Sequence, residues 1–278
     1  MNISNKTYKE LSIPYFKETF DCIDDVMSEN ETPYYLIGAS AIALQLLKKG
    51  IKPNRGTKDI DFAIMIPNMA TFENITVGLI KKGFQKVKAP LTFYSNSFNV
   101  AIELLPFGEI EEQHTDNFNE RYTDLHVLGF SEVLEAAVPI PIEEKIANIP
   151  TLEGMVILKL IAWSDRPGER ENDLADILRI IQHYYDLEFD EIVEFHYDTI
   201  PDENFDQLII AAEVLGRKSK LLINKSKILS ERIEGILTSN LKEVSKSEIA
   251  KDWAKKLDRA IEYTFSILEA FHKGVNSH

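Results

Sequence analysis

Between residues 34 and 105 the apolar residues change period repeatedly, and few folds accommodate that. Tyr34–Ile37 reads as a short strand that turns at Gly38 into an apolar helix, 41–49, closed by Gly50. Asp59–Ile66 alternates acid and apolar residues with the two-residue period of a strand, and Pro67 ends it. Residues 71–82 return to helical spacing before Gly83, and 84–87, 91–94 and 98–105 read as successive strands. Upstream, residues 14–29 present Phe16, Phe20, Ile23 and Met27 on one helical face, with Ser12 as the expected cap. Strands interleaved with amphipathic helices predict an α+β fold, a mixed sheet flanked by helices.

From Thr151 the pattern is helical. Residues 152–163 are apolar nearly all round, which predicts a buried helix, and 169–185 carry Leu174, Ile177, Leu178 and Ile181 on one face. Beyond residue 187 the expectation is three polar-faced helices, 206–215, 220–237 and 247–272. The predicted organisation is a domain over 1–187 followed by a helical C-terminal region, 188–278.

Composition narrows the classes of function. Across 278 residues, 31 Lys and Arg face 45 Asp and Glu, a net charge of −14 that disfavours broad coating of nucleic acid. The charge is uneven: residues 48–88 carry nine bases against Asp59, Asp61 and Glu73, whereas 89–150 carry eleven acids against two bases. A triphosphate or one short RNA end entering beside the basic stretch is therefore allowed. Cys22 is the only cysteine, which excludes a disulfide within the chain and a cysteine-based zinc site. Residues 1–10 are polar, and the most apolar stretches, 34–47 and 155–163, are too short to span a bilayer and carry Gln45 and Lys159. A cytoplasmic protein with no membrane partner is the expectation.

Several residues invite chemical readings beside plainer ones. Asp59 and Asp61 are two apart on a strand and leave the same face, where a divalent cation would relieve their repulsion; solvated edge residues are the alternative. Glu103 is the sole charge of an apolar strand and projects opposite to Val100, Ile102 and Leu104, either as a third carboxylate beside the first two or as an edge residue in water. Three acids on one side of a sheet would suit two-metal phosphoryl transfer. Gly38 and Ser40 stand where a strand meets a helix N-terminus, a setting for a phosphate or simply for a tight connection. Lys48, Lys49, Lys52, Arg55 and Lys58 form either a solvated loop or a rim for a polyanion. Lys159 is the lone charge of its helix, with Arg170, Asp173 and Asp176 spaced to orient it; it snorkels to water, pairs with an acid, or meets a nucleotide phosphate. His114, His126 and His183 lack metal-ligand spacing, and no Gly-x-Ser-x-Gly elbow occurs.

The order of these pieces is more specific than any one of them. Gly38-Ala-Ser40 at a strand-to-helix turn, then Arg55-Gly-Thr-Lys-Asp-Ile-Asp61, then an acid within an apolar strand, resembles the nucleotidyltransferases of the DNA polymerase beta superfamily. The run Leu158-Lys-Leu-Ile-Ala-Trp-Ser-Asp-Arg166 followed by Arg170-Glu-Asn-Asp-Leu-Ala-Asp-Ile177 is similar to the AbiEii-type abortive-infection toxin branch. The resemblance covers roughly residues 34–185 and leaves the C-terminal helices unmatched. It implies Mg²⁺ held by Asp59, Asp61 and Glu103, with Glu103 also helping to activate the attacking hydroxyl. It implies a nucleoside triphosphate cradled by Gly38 and Ser40, with Arg55, Thr57 and Lys159 near it. The implied acceptor is RNA such as a tRNA end, a protein or a small-molecule hydroxyl, and a toxin role implies a separate antitoxin. Two positions depart from the pattern: Ala39 stands where Gly or Ser is usual, and Glu103 where Asp is more common. A catalytically silent nucleotide- or partner-binding module on the same fold is the alternative.

Overall fold

A computed structural model describes residues 6–53, 59–109 and 127–277. The chain divides into two compact units, Met1–Thr151 and Leu152–His278. This division falls earlier than the boundary expected near 187, because the two helices spanning 152–187 pack with the C-terminal helices.

The first unit is built on a five-stranded sheet. After a short 3₁₀ turn come α1 (Phe16–Glu29), β1 (Tyr34–Ile37), α2 (Gly38–Leu47), β2 (Asp59–Met65), α3 (Met69–Lys81), β3 (Phe84–Lys86), β4 (Thr92–Ser95) and β5 (Val100–Phe107). The strand order is β1-β2-β5-β4-β3; β2 and β5 are parallel and every other neighbouring pair is antiparallel. The α+β class and mixed sheet thus match the alternating periods of the sequence. Leu36, Ile60, Phe62, Ile102 and Leu104 make one face of the sheet wholly buried. There Phe20 of α1 meets Phe62 and Tyr34, as the apolar stripe on 14–29 predicts. Ser12 does not cap α1. It closes the preceding 3₁₀ turn in a left-handed conformation, and α1 starts directly after Tyr15, which is also left-handed (φ 54°).

A hairpin absent from the sequence reading completes this unit: α4 (Phe130–Leu134) leads into β6 (Val138–Ile142) and β7 (Lys145–Ile149). Lys145 reaches Asp24 and Asp25 of α1 at 2.9 and 2.8 Å, and Tyr8 donates to Glu143 at 2.6 Å. These bonds fasten the hairpin to the N-terminal helix.

The second unit is wholly helical among its described residues: α5 (Leu152–Asp165), α6 (Glu171–Leu187), α7 (Phe189–Phe195), α8 (Gln207–Ile223), α9 (Lys227–Leu241), α10 (Glu248–Leu257) and α11 (Ile261–Val275). α5 is buried nearly all round. Asp206 caps α8 and Ser247 caps α10, each accepting from first-turn amides. All three expected helices differ. α8 runs through Lys220 to Ile223, and the next helix begins only after Ser226, which caps it. The span 247–272 is two helices, because Asp258 turns left-handed (φ 52°) and ends α10. The backbones of α8 and α11 touch: a Cβ on Gly216 would lie 2.2 Å from the Phe271 carbonyl oxygen, and one on Gly274 would lie 2.0 Å from that of Glu213. Among the described residues no helix is long and apolar enough to cross a membrane.

Candidate functional site

The site candidates of the first unit follow from strand register. Paired residues of neighbouring strands send their side chains to the same face. Ile37 pairs with Asp61, Asp61 with Glu103, and Glu103 with Thr92, so one row crosses β1, β2, β5 and β4. Asp59, two residues back on β2, stands in the next row on that face beside Ala101 and Tyr94. Asp61 and Glu103 are direct partners in a parallel pair, and adjacent strands run about 4.8 Å apart. Their carboxylates therefore leave the sheet side by side. The alternation seen in the sequence persists here, with Ile60, Phe62, Ile102 and Leu104 on the buried face and Asp61 and Glu103 half-exposed on the other. Asp59 is exposed at the start of β2. The opposite end of the same face is closed by Phe107, which packs on Tyr35 and Phe130.

The glycine turn meets this row. Gly38 opens α2 directly after β1 with φ +68°, a left-handed conformation that a side chain resists. A Cβ there would also lie 1.9 Å from Asp61 Oδ2, so the carboxylate occupies the space that any other residue would fill. Glycine at 38 is thus needed twice, for the turn and for Asp61. Ser40, in the first turn of α2, is 2% exposed and its hydroxyl is buried without a hydrogen-bond partner among the described residues. No side chain caps this helix. Lys48, at the far end of α2, is half-buried, and burial pulls its ammonium below the usual lysine value.

Gly38, Ser40, Asp59, Asp61 and Glu103 are therefore brought together on one unit. Arg55 and Thr57 lie outside the described residues, as do Lys58, His114 and His126. Lys159 belongs to the second unit, where α5 and α6 hold it: its Nζ is 2.6 Å from Asp173 and 3.0 Å from Asp176. Burial opposes its charge, but the nearby Asp176 and Asp173 outweigh it and hold the ammonium above the usual lysine value. Arg170 approaches Asp173 at 3.9 Å, the i, i+3 contact anticipated from their spacing. Thr92, which the sequence reading passed over, stands beside Glu103 on the acid face. Only the β4–β5 register singles it out.

Among the described residues no three His, Cys, Asp or Glu side chains gather closely enough to hold a metal ion by themselves. Two carboxylates in register, with a third acid one row away, nonetheless suit Mg²⁺. That ion takes one or two carboxylates and completes its shell with water and substrate phosphates rather than an all-protein cage.

No protein-family model matches the chain, and no curated protein is similar to it. Among solved structures, the crystal structure of an antigenic nucleotidyltransferase-like protein from Paracoccidioides brasiliensis is similar to it at 15% sequence identity and a TM-score of 0.39. The match covers 64% of this chain and 77% of that one.

Proposed function

We propose that the first unit is a Mg²⁺-dependent nucleotidyltransferase, which moves a nucleoside monophosphate from a nucleoside triphosphate to a hydroxyl of RNA, protein or a small molecule. One observation carries the reading. The Gly38 turn and the Asp59-x-Asp61 strand, separate in sequence, meet so closely that the Asp61 carboxylate fills the Cβ space of Gly38, with Glu103 in register beside it.

In this reading Gly38 and Ser40 receive the triphosphate at the N-terminus of α2, where the amides of the first turn point outward. The Ser40 hydroxyl, buried without a hydrogen-bond partner among the described residues, supports this reading as a donor that a phosphate oxygen would accept from. Asp61 and Glu103, with Asp59 one row away, would hold Mg²⁺, which would supply charge neutralisation on the attacking and leaving oxygens. Glu103 accepts the proton of the acceptor hydroxyl as its oxygen bonds to the α-phosphorus and pyrophosphate leaves. Arg55 and Thr57 enter as phosphate contacts on the sequence resemblance, as does the AbiEii-type toxin role with its separate antitoxin.

A second reading has its own observation. The described side chains do not assemble three acids into a ready cluster, which favours a silent nucleotide- or partner-binding module. Incubation with Mg²⁺, each labelled nucleoside triphosphate in turn and total tRNA or cell extract separates the two. Transfer of label that disappears in Asp59→Ala/Asp61→Ala is the expected outcome. Transfer surviving that double change removes the proposed site, and tight nucleotide binding by calorimetry without transfer selects the silent module.

A further inference from the structure

The second unit carries a surface that the proposed activity does not use. α7 and the chain on either side of it expose Phe189 (48%), Val193 (47%) and Phe205 (52%). They form one patch, because the buried Tyr185 ring packs edge-on against both Phe189 and Phe205 at 5.7 Å, and Val193 lies one helical turn from Phe189. The chain that carries this apolar centre is acidic: residues 186–206 contain nine acids and no Lys or Arg, although Lys218 and Arg217 of α8 reach into it. Four of the nine are occupied by the fold. Lys218 binds Glu191 at 2.8 Å and Glu188 at 3.6 Å, Arg217 grips both oxygens of Asp198 at 2.8 and 2.6 Å, and Asp206 caps α8. Asp186, Asp190, Glu194, Asp202 and Glu203 remain exposed, and no described cation pairs with them.

We propose that this patch docks a short, Lys- and Arg-rich amphipathic segment of a partner protein. Exposed aromatic rings ringed by unneutralised carboxylates offer an apolar seat and cation–π faces at the centre, with charge complementarity at the rim. The same carboxylates repel nucleic acid and anionic lipid surfaces. A second copy docked through the same patch would set acid against acid about the two-fold axis. A helix placing apolar residues one turn apart, flanked by bases, matches the Phe189–Val193 spacing.

The test is fluorescence anisotropy of the full chain with a labelled helical peptide of leucine and lysine, beside the same peptide with glutamate for lysine. The expected result is salt-sensitive binding of the basic peptide alone, weakened about tenfold by Asp190→Lys/Glu194→Lys and by Phe189→Ser/Phe205→Ser. The control, Glu262→Lys/Glu269→Lys, makes the same charge change on exposed positions of α11 and should weaken it less than about twofold. Circular dichroism checks each fold, and the two wholly exposed acids keep the test open should the phenylalanine pair unfold. Four outcomes overturn the proposal: no binding of the basic peptide, equal loss in the control, full binding by folded patch variants, or self-association in sedimentation that the patch variants abolish.

Discussion

The acids of the sheet and the acids of the helical unit are handled in opposite ways. Asp59, Asp61 and Glu103 stand on one sheet face, placed by register, with Asp59 exposed and the other two half-exposed. Glu153, Asp173, Asp176 and Glu213 are buried, and each is met by a lysine or arginine: Lys218, Lys159 or Arg217. Tyr184 adds its hydroxyl to Glu153. A carboxylate that is desolvated costs several kcal/mol unless a cation and hydrogen bonds answer it, so the helical acids are part of the packing. Asp59, Asp61 and Glu103 are less desolvated and stay nearer to water.

That contrast can be broken most sharply at Lys159. Lys159→Met removes the ammonium that Asp173 and Asp176 share in a buried setting and should destabilise the second unit by roughly 3–5 kcal/mol in urea unfolding. Adding Asp173→Asn and Asp176→Asn should recover most of it. If the single change is neutral, the helical acids are not structural. The first unit predicts the reverse balance of stability and activity. Gly38→Ala forces a side chain into a left-handed turn and against Asp61, at a cost of about 1–3 kcal/mol. Nucleotidyl transfer should fall on the order of a hundredfold, since the carboxylate moves by roughly an ångström. Wild-type transfer by a folded Gly38→Ala chain would separate Asp61 from the chemistry.

A smaller effect is expected at the α8–α11 crossing. Gly216→Ala must push two helix backbones apart and should cost about 1–3 kcal/mol in thermal unfolding, with transfer unchanged. The smallest is a pH effect in the first unit. Hydrogen bonds from Lys145 and Lys82 hold the Asp25 carboxyl below its usual value. Its contribution is therefore present above the unfolded carboxylate pKa of about 4 and lost as pH falls through the lower folded value. Denaturant unfolding between about pH 2 and 5 should show a shallower decline for Asp25→Asn than for wild type.

What could be read in the sequence was local. The two-residue period of β2 put Asp59 and Asp61 on one face, and the Gly38 turn announced the strand-to-helix change, because both are set within a few residues. The pairing of Asp61 with Glu103 was not legible: a parallel partner lies beyond a long crossover, and nothing local specifies which row it joins. The β6–β7 hairpin was hidden by Pro139 and Pro141, which argue against a strand. They fall at alternate positions, so the missing amides face one edge while Ile140 and Ile142 point inward. Its turn has Glu143 at φ 53° where Gly or Asn would have signalled it. The end of α10 was hidden in the same way by Asp258.

The parallel β2–β5 ladder has one more consequence. The separation of Asp61 and Glu103 is set by hydrogen bonds between two neighbouring strands, so the length of chain that joins them does not enter it. α3, β3 and β4, with their turns, form an excursion between two fixed points. Insertions near Gly83, where a Cβ meets nothing within 4 Å, would lengthen the excursion and leave the two carboxylates where they are.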